Sequence, residues 1–119
     1  MMLKGRATAD ASAAYASRFP TLPGNFRPAL GVSVSSIGIG TYLGEPDDET
    51  DRAYEEAIKA SIRGGINLID TAVNYRFQRS ERNIGTAIGE LVAAGEIARE
   101  QRTLARHERA PHRRQLRDL

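Results

Sequence analysis

Cysteine and tryptophan are missing from this 119-residue chain, histidine occurs twice, and aromatic residues make up only 6% of it. The lack of thiols excludes a disulfide framework, a thiolate metal site and a cysteine nucleophile together. His107 and His112 are too few for an ordinary zinc site, so no metal is expected. No apolar run approaches the roughly eighteen residues of a membrane span, which excludes a transmembrane helix. The first twenty residues also lack the apolar core of a secretory signal, so a cytoplasmic protein is expected.

Charged residues make up 27% and hydrophobic residues 40%, a balance suited to one small globular domain. The net charge of +2 is unevenly placed. Arg102, Arg106, Arg109, Arg113, Arg114 and Arg117 crowd residues 102–119 against Glu108 and Asp118 alone, whereas acids outnumber bases in the preceding sequence. Basicity therefore belongs to the end of the chain. No aromatic residue is interleaved there to stack on bases, so nucleic acid is not an expected partner.

Residues 1–25, rich in Ala, Ser, Thr and Pro, read as a flexible lead-in. Between residues 26 and 44 the period is two: Leu30, Val32 and Val34, then Ile37 and Ile39, alternate with small or polar residues. A short hairpin followed by a strand ending at Gly40-Thr41-Tyr42 is predicted. Residues 47–63 read as a helix with Asp47, Asp48 and Thr50 as capping candidates. Its apolar face is Tyr54, Ala57, Ile58, Ser61 and Ile62, and Gly64-Gly65 stops it. Residues 66–70 are too short for a helix and β-branched enough for a buried strand. A second helix is predicted from a Ser80 cap to Ala94, with Ile84, Ala87, Ile88, Leu91 and Val92 as its stripe and Gly95 as its stop. Such β-α-β-α alternation implies an α/β fold with a parallel sheet and right-handed crossovers. A third strand is due shortly after Gly95, yet Ile97, Leu104, Leu116 and Leu119 show no period. Residues 102–119 are accordingly expected to be a disordered basic tail.

Strand alternation puts Ile66, Leu68 and Asp70 on one face and Asn67, Ile69 and Thr71 on the other. Asp70 would end the strand, and Tyr75 follows on the next loop. A carboxylate and a phenol so placed can form an acid/base couple, because nearby charge lowers a phenol pKa. Spacing alone favours the plainer reading, in which Asp70 opens a turn and Tyr75 packs.

The run Gly65-Ile66-Asn67-Leu68-Ile69-Asp70-Thr71-Ala72-Val73-Asn74-Tyr75, continued by Ser80-Glu81-Arg82-Asn83-Ile84-Gly85-Thr86-Ala87-Ile88, resembles the aldo-keto reductase signature. That signature reads G-x-N-x-x-D-T-A, then a Tyr, then S-E-x-x-[IV]-G-x-A-[IL]. Upstream, Leu30-Gly31-Val32-Ser33-Val34-Ser35-Ser36-Ile37-Gly38-Ile39-Gly40-Thr41 is similar to the family's opening hairpin and first strand. The resemblance covers about residues 26–101. It implies the start of a (β/α)8 TIM barrel, with the N-terminal hairpin and two βα units present. It further implies reduction of small aldehydes or ketones by hydride transfer from NADPH, or from NADH. By position, Tyr75 would be the catalytic general acid, and Asp70 would hold the lysine that lowers its pKa. Gly40, Thr41 and Tyr42 would line the cofactor-binding and substrate side. Arg79 and Ser80 would orient the loop after Tyr75, although Ser80 also reads as a helix cap and Gly40 as a site of tight packing.

The sequence departs from this pattern in its second half. The family lysine has no counterpart, since the last lysine is Lys59, and neither histidine follows an apolar fourth strand. Eight βα units need about 250 residues. A truncated and inactive fragment is therefore expected. The contrasting expectation is a non-catalytic interaction module whose Arg-rich end binds an acidic partner. A lost reading frame near Arg102 would account for that end: codons for Arg106-His107-Glu108-Arg109, read one base later, permit the Thr-Lys close of the family's third strand.

Overall fold

The computed structural model describes residues 7–20, 24–107 and 114–117. The elements are α1 (Ala9–Ala16), β1 (Phe26–Ala29), β2 (Val32–Ser35), β3 (Gly38–Gly40), α2 (Asp48–Arg63), β4 (Leu68–Ala72), α3 (Arg79–Ala93), β5 (Thr103–His107) and β6 (Arg114–Arg117). A 3-10 turn at Arg99–Gln101 leads into β5.

Leu30 and Gly31 both take left-handed backbone, with φ of +50° and +79°, which is the two-residue turn whose twist suits a hairpin. It joins β1 and β2 as an antiparallel pair. The second sheet has the order β3-β4-β5-β6, its first three strands parallel and β6 antiparallel to β5. This mixed α/β sheet is open: no closed barrel forms among the described residues.

Asp47 caps α2 by accepting the Thr50 N–H at 2.8 Å, and Asp48, Glu49 and Asp51 place negative charge in the first turn. Those hydrogen bonds from Thr50 hold the Asp47 carboxyl below its ordinary pKa. One core forms where Ile58 and Ile62 of α2 and Ile84, Ala87, Ile88 and Leu91 of α3 meet Ile69 of β4, with Tyr15 and Ile97 at its end. Each large side chain buried there contributes about 2 kcal/mol. Ala57, which the period puts on the inner face of α2, is exposed.

Three expectations are corrected. Residues 9–16 of the lead-in are a docked helix rather than loose chain: the Thr8 N–H donates to the Glu100 carbonyl at 3.1 Å, Ser12 Oγ accepts the Ser33 N–H at 2.9 Å, and the Tyr15 hydroxyl donates to the Ile62 carbonyl. Only Ser12 and Tyr15 of this helix are buried, so no apolar stripe announces it. Residues 1–6 and 21–23 lie outside the described residues.

The second correction concerns the basic tail, where residues 103–107 and 114–117 form β5 and β6. From Leu68↔Thr103 to Ala72↔His107, β5 joins β4 through backbone groups, a pairing that needs no apolar alternation. Residues 108–113 and 118–119 of that tail lie outside the described residues. Third, the strand predicted at 66–70 runs from Leu68 to Ala72, because the Ile66 N–H closes α2 on the Ser61 carbonyl at 2.9 Å.

Burial pushes the Tyr15 phenol up to about 12 from 10.0. Its contribution to stability is therefore complete below pH 10 and is lost as pH rises towards 12, by up to about 3 kcal/mol. Tyr15→Phe is expected to remove most of this alkaline loss while costing about 1 kcal/mol at neutral pH through the lost hydrogen bond to the Ile62 carbonyl. Urea unfolding at neutral pH and near pH 11 checks both signs.

Candidate active site

β4 is the central one of three parallel strands, and the candidate site lies at its carboxyl end. Asp70 stands third of five residues, opposite Gly40 in β3 and Ala105 in β5. Alternation behaves as the sequence indicates: Ile69 and Thr71 are fully buried, whereas Leu68 and Asp70 on the other face are half-buried. The chain then reverses at once, the Tyr75 N–H donating to the Ala72 carbonyl at 3.2 Å. Asp70 is thus inside the strand, and Tyr75 hangs over the strand end.

Thr41 and Tyr42 follow β3 at the same end of the sheet. The Thr41 hydroxyl is buried and donates to the Asp70 carbonyl at 2.8 Å, so it braces the strand end instead of facing a cleft. Tyr42 is 67% exposed, and its ring meets that of Tyr75 edge to face, with centroids 5.0 Å apart. A Cβ built on Gly40 would meet nothing within 4 Å, so tight packing does not explain this glycine. Leu43, Val73 and Phe77 complete an apolar rim on the two loops.

Ser80 does not cap α3. Gln78 takes the N-cap position with a left-handed backbone and no side-chain cap, while Ser80 Oγ donates to the Thr41 carbonyl at 2.6 Å. Arg79 pairs with Asp51 at 2.7 Å and Asp48 at 3.3 Å, tying the start of α3 to the start of α2. Lys59 sits on α2 and pairs with Glu90 at 2.7 Å and Glu56 at 3.1 Å, so it serves the helix layer. The carboxyl end of β5 carries Arg106 and His107, with no lysine.

Over 66 residues the chain is 41% identical to aldo-keto reductase YhdN of Bacillus subtilis (strain 168), a match that covers 50% of this chain and 19% of the relative. Part of this chain is thus similar to part of an aldo-keto reductase. Aldose reductase C of Dictyostelium discoideum is 36% identical over 76 residues, covering 64% of this chain and 22% of the relative. Aldose reductase B of the same organism is 37% identical over 67 residues, covering 56% and 19%. The chain thus spans about a fifth of the length of these curated relatives. No family model matches it.

Beside the motif tyrosine, sequence spacing overlooks Arg76. It follows Tyr75 directly, its side chain is only 1% exposed, and its Nη2 reaches Asp51 at 2.6 Å. The motif does not reveal it, because two of its partners, Glu45 and Asp51, lie on the preceding βα unit. The only sequence signal is an arginine placed beside the motif tyrosine, facing an acidic helix start.

Proposed function

We propose that residues 26–101 form the proton-handling part of an aldo-keto reductase site at the start of a βα barrel, and that this chain reduces no carbonyl by itself. One observation carries the reading: Asp70 and the loop bearing Tyr75 share the carboxyl end of the central parallel strand, where barrels of this kind place chemistry. Both residues lie in the run that resembles the reductase signature. The substrate class is a small aldehyde or ketone.

NAD(P)H, when bound, supplies the hydride that reduces the carbonyl carbon. In this reading the Tyr75 hydroxyl donates its proton to the alkoxide oxygen that develops. Asp70 would hold a cation beside that phenol, and the cation would make loss of the proton easier. The open space at Gly40 and the exposed Tyr42 ring suit a flat nicotinamide, with Thr41 bracing from below. The rim arginines do not suit the cofactor phosphates, since Arg76 and Arg79 are both committed to Asp51. In this reading the lysine that the family pattern sets beside the tyrosine has no counterpart after Lys59 in the sequence.

With NADPH and a simple aldehyde, the chain is expected to cause no loss of absorbance at 340 nm. Turnover abolished by Tyr75→Phe would keep the proton role and overturn the inactivity. Turnover indifferent to that substitution would overturn the assignment of Tyr75. We also propose that residues 102–119 are read out of frame, a view supported by the buried guanidinium of Arg102, which has no hydrogen-bond partner among the described residues. A coding sequence with no barrel-like continuation in its other frames would remove that part.

A further inference from the structure

We infer that Arg76 is the positioning residue of this site, a buried guanidinium that staples the loop carrying Tyr42 to the loop carrying Tyr75 and so sets the geometry of that aromatic pair. Its bearing on catalysis rests on the reading of Tyr75 as proton donor. The geometry stands independently of it.

Arg76 reaches three elements at once. Its Nε donates to the Glu45 carbonyl at 3.0 Å, which holds the loop after β3. Its Nη2 pairs with Asp51 on α2 at 2.6 Å, and its Nη1 donates to Asn83 Oδ1 on α3 at 2.8 Å. The guanidinium also lies 4.7 Å from the centre of the Tyr54 ring, whose hydroxyl donates to the Leu43 carbonyl. The Tyr42 loop is thus gripped at Leu43 and at Glu45. Between them Gly44, at φ +107°, presses so closely on α2 that a Cβ would come within 2.9 Å of Thr50 Cγ2.

The other loop is held against its own preference. Arg76, Phe77 and Gln78 have φ of +50°, +55° and +69°, three successive left-handed residues without a glycine. Each such residue costs roughly 1 kcal/mol or more, so the turn persists only where surrounding contacts over-determine it. Phe77 cannot supply them, being 80% exposed. The anchored side chain of Arg76 does. Lysine could keep the charge pair with Asp51 but, as a point charge, could not reach Glu45, Asp51 and Asn83 together.

The test uses NMR of the full chain with labelled tyrosine rings and isoleucine methyls. In Arg76→Lys, the NOEs between the Tyr42 and Tyr75 rings are expected to be lost, while the methyl dispersion of Ile58, Ile62 and Ile88 is kept. Loss of the ring NOEs at a near-native melting temperature separates positioning from mere stabilisation. Ring NOEs retained in Arg76→Lys overturn the inference. Asn83→Ala, which removes one acceptor and leaves the Asp51 ion pair, is the second variant should lysine fail to fold. Weakened ring NOEs there support the staple and unchanged ones overturn it. Because this readout needs no turnover, it is independent of the 340 nm assay in which the role of Tyr75 stands or falls.

Discussion

Arg102→Leu is expected to stabilise the folded chain by about 3 kcal/mol, an unusual sign for a substitution at a buried position. Arg102 is 1% exposed, and among the described residues its Nε, Nη1 and Nη2 all lack an acceptor. Burial holds the guanidinium below its ordinary pKa, opposed by the charge of Glu100 and aided by that of Arg99. A desolvated cation without a hydrogen-bonding carboxylate costs several kcal/mol, and a packed aliphatic side chain removes that cost. Arg102→Lys keeps the charge and is expected to give no gain. Urea unfolding checks this through a raised midpoint at unchanged slope. A lowered midpoint would show that the guanidinium has a favourable role, and it would weaken the proposal that the sequence from here on is out of frame.

Asn67→Ala is expected to have the opposite effect and to cost about 4 kcal/mol, a large share of the 5–15 kcal/mol typical of a domain. Asn67 is buried at the lower end of the sheet. Its Oδ1 accepts the Ser35 N–H at 2.8 Å, and its Nδ2 donates to the Ser33 carbonyl at 3.0 Å and the Gln101 carbonyl at 3.1 Å. Alanine would leave one N–H and two carbonyls unsatisfied in a dry interior, at about 1–3 kcal/mol each. Asn67→Asp can still accept from Ser35 but cannot donate, and it sets a buried carboxyl against the Ser33 and Gln101 carbonyls, so it is expected to rescue none of the loss. Thermal denaturation orders the three proteins. An alanine variant within about 1 kcal/mol of the parent would show that the hairpin is held by other contacts.

The asparagine of the reductase signature is therefore a joint between hairpin and sheet rather than a reacting group. Its position in the motif could not say so. Ser80 makes the same point: beside a helix start it reads as a cap, yet it bonds the Thr41 carbonyl across 39 residues of chain.

Helices α2 and α3, a hairpin ahead of β3 and the similarity to reductases were legible from the order of residues, because helical stripes and motifs are short-range patterns. The same holds for the two faces of β4. Leu30, by contrast, which the alternation counts with a strand, sits in the hairpin turn. The docking of α1 through Ser12 and Tyr15, the addition of β5 to an open strand edge, the orphaned charge of Arg102 and the grip of Arg76 on two loops depend on groups far apart in the chain. Hydrogen bonds and ion pairs between such groups leave no period in a sequence, so folding alone brings them together.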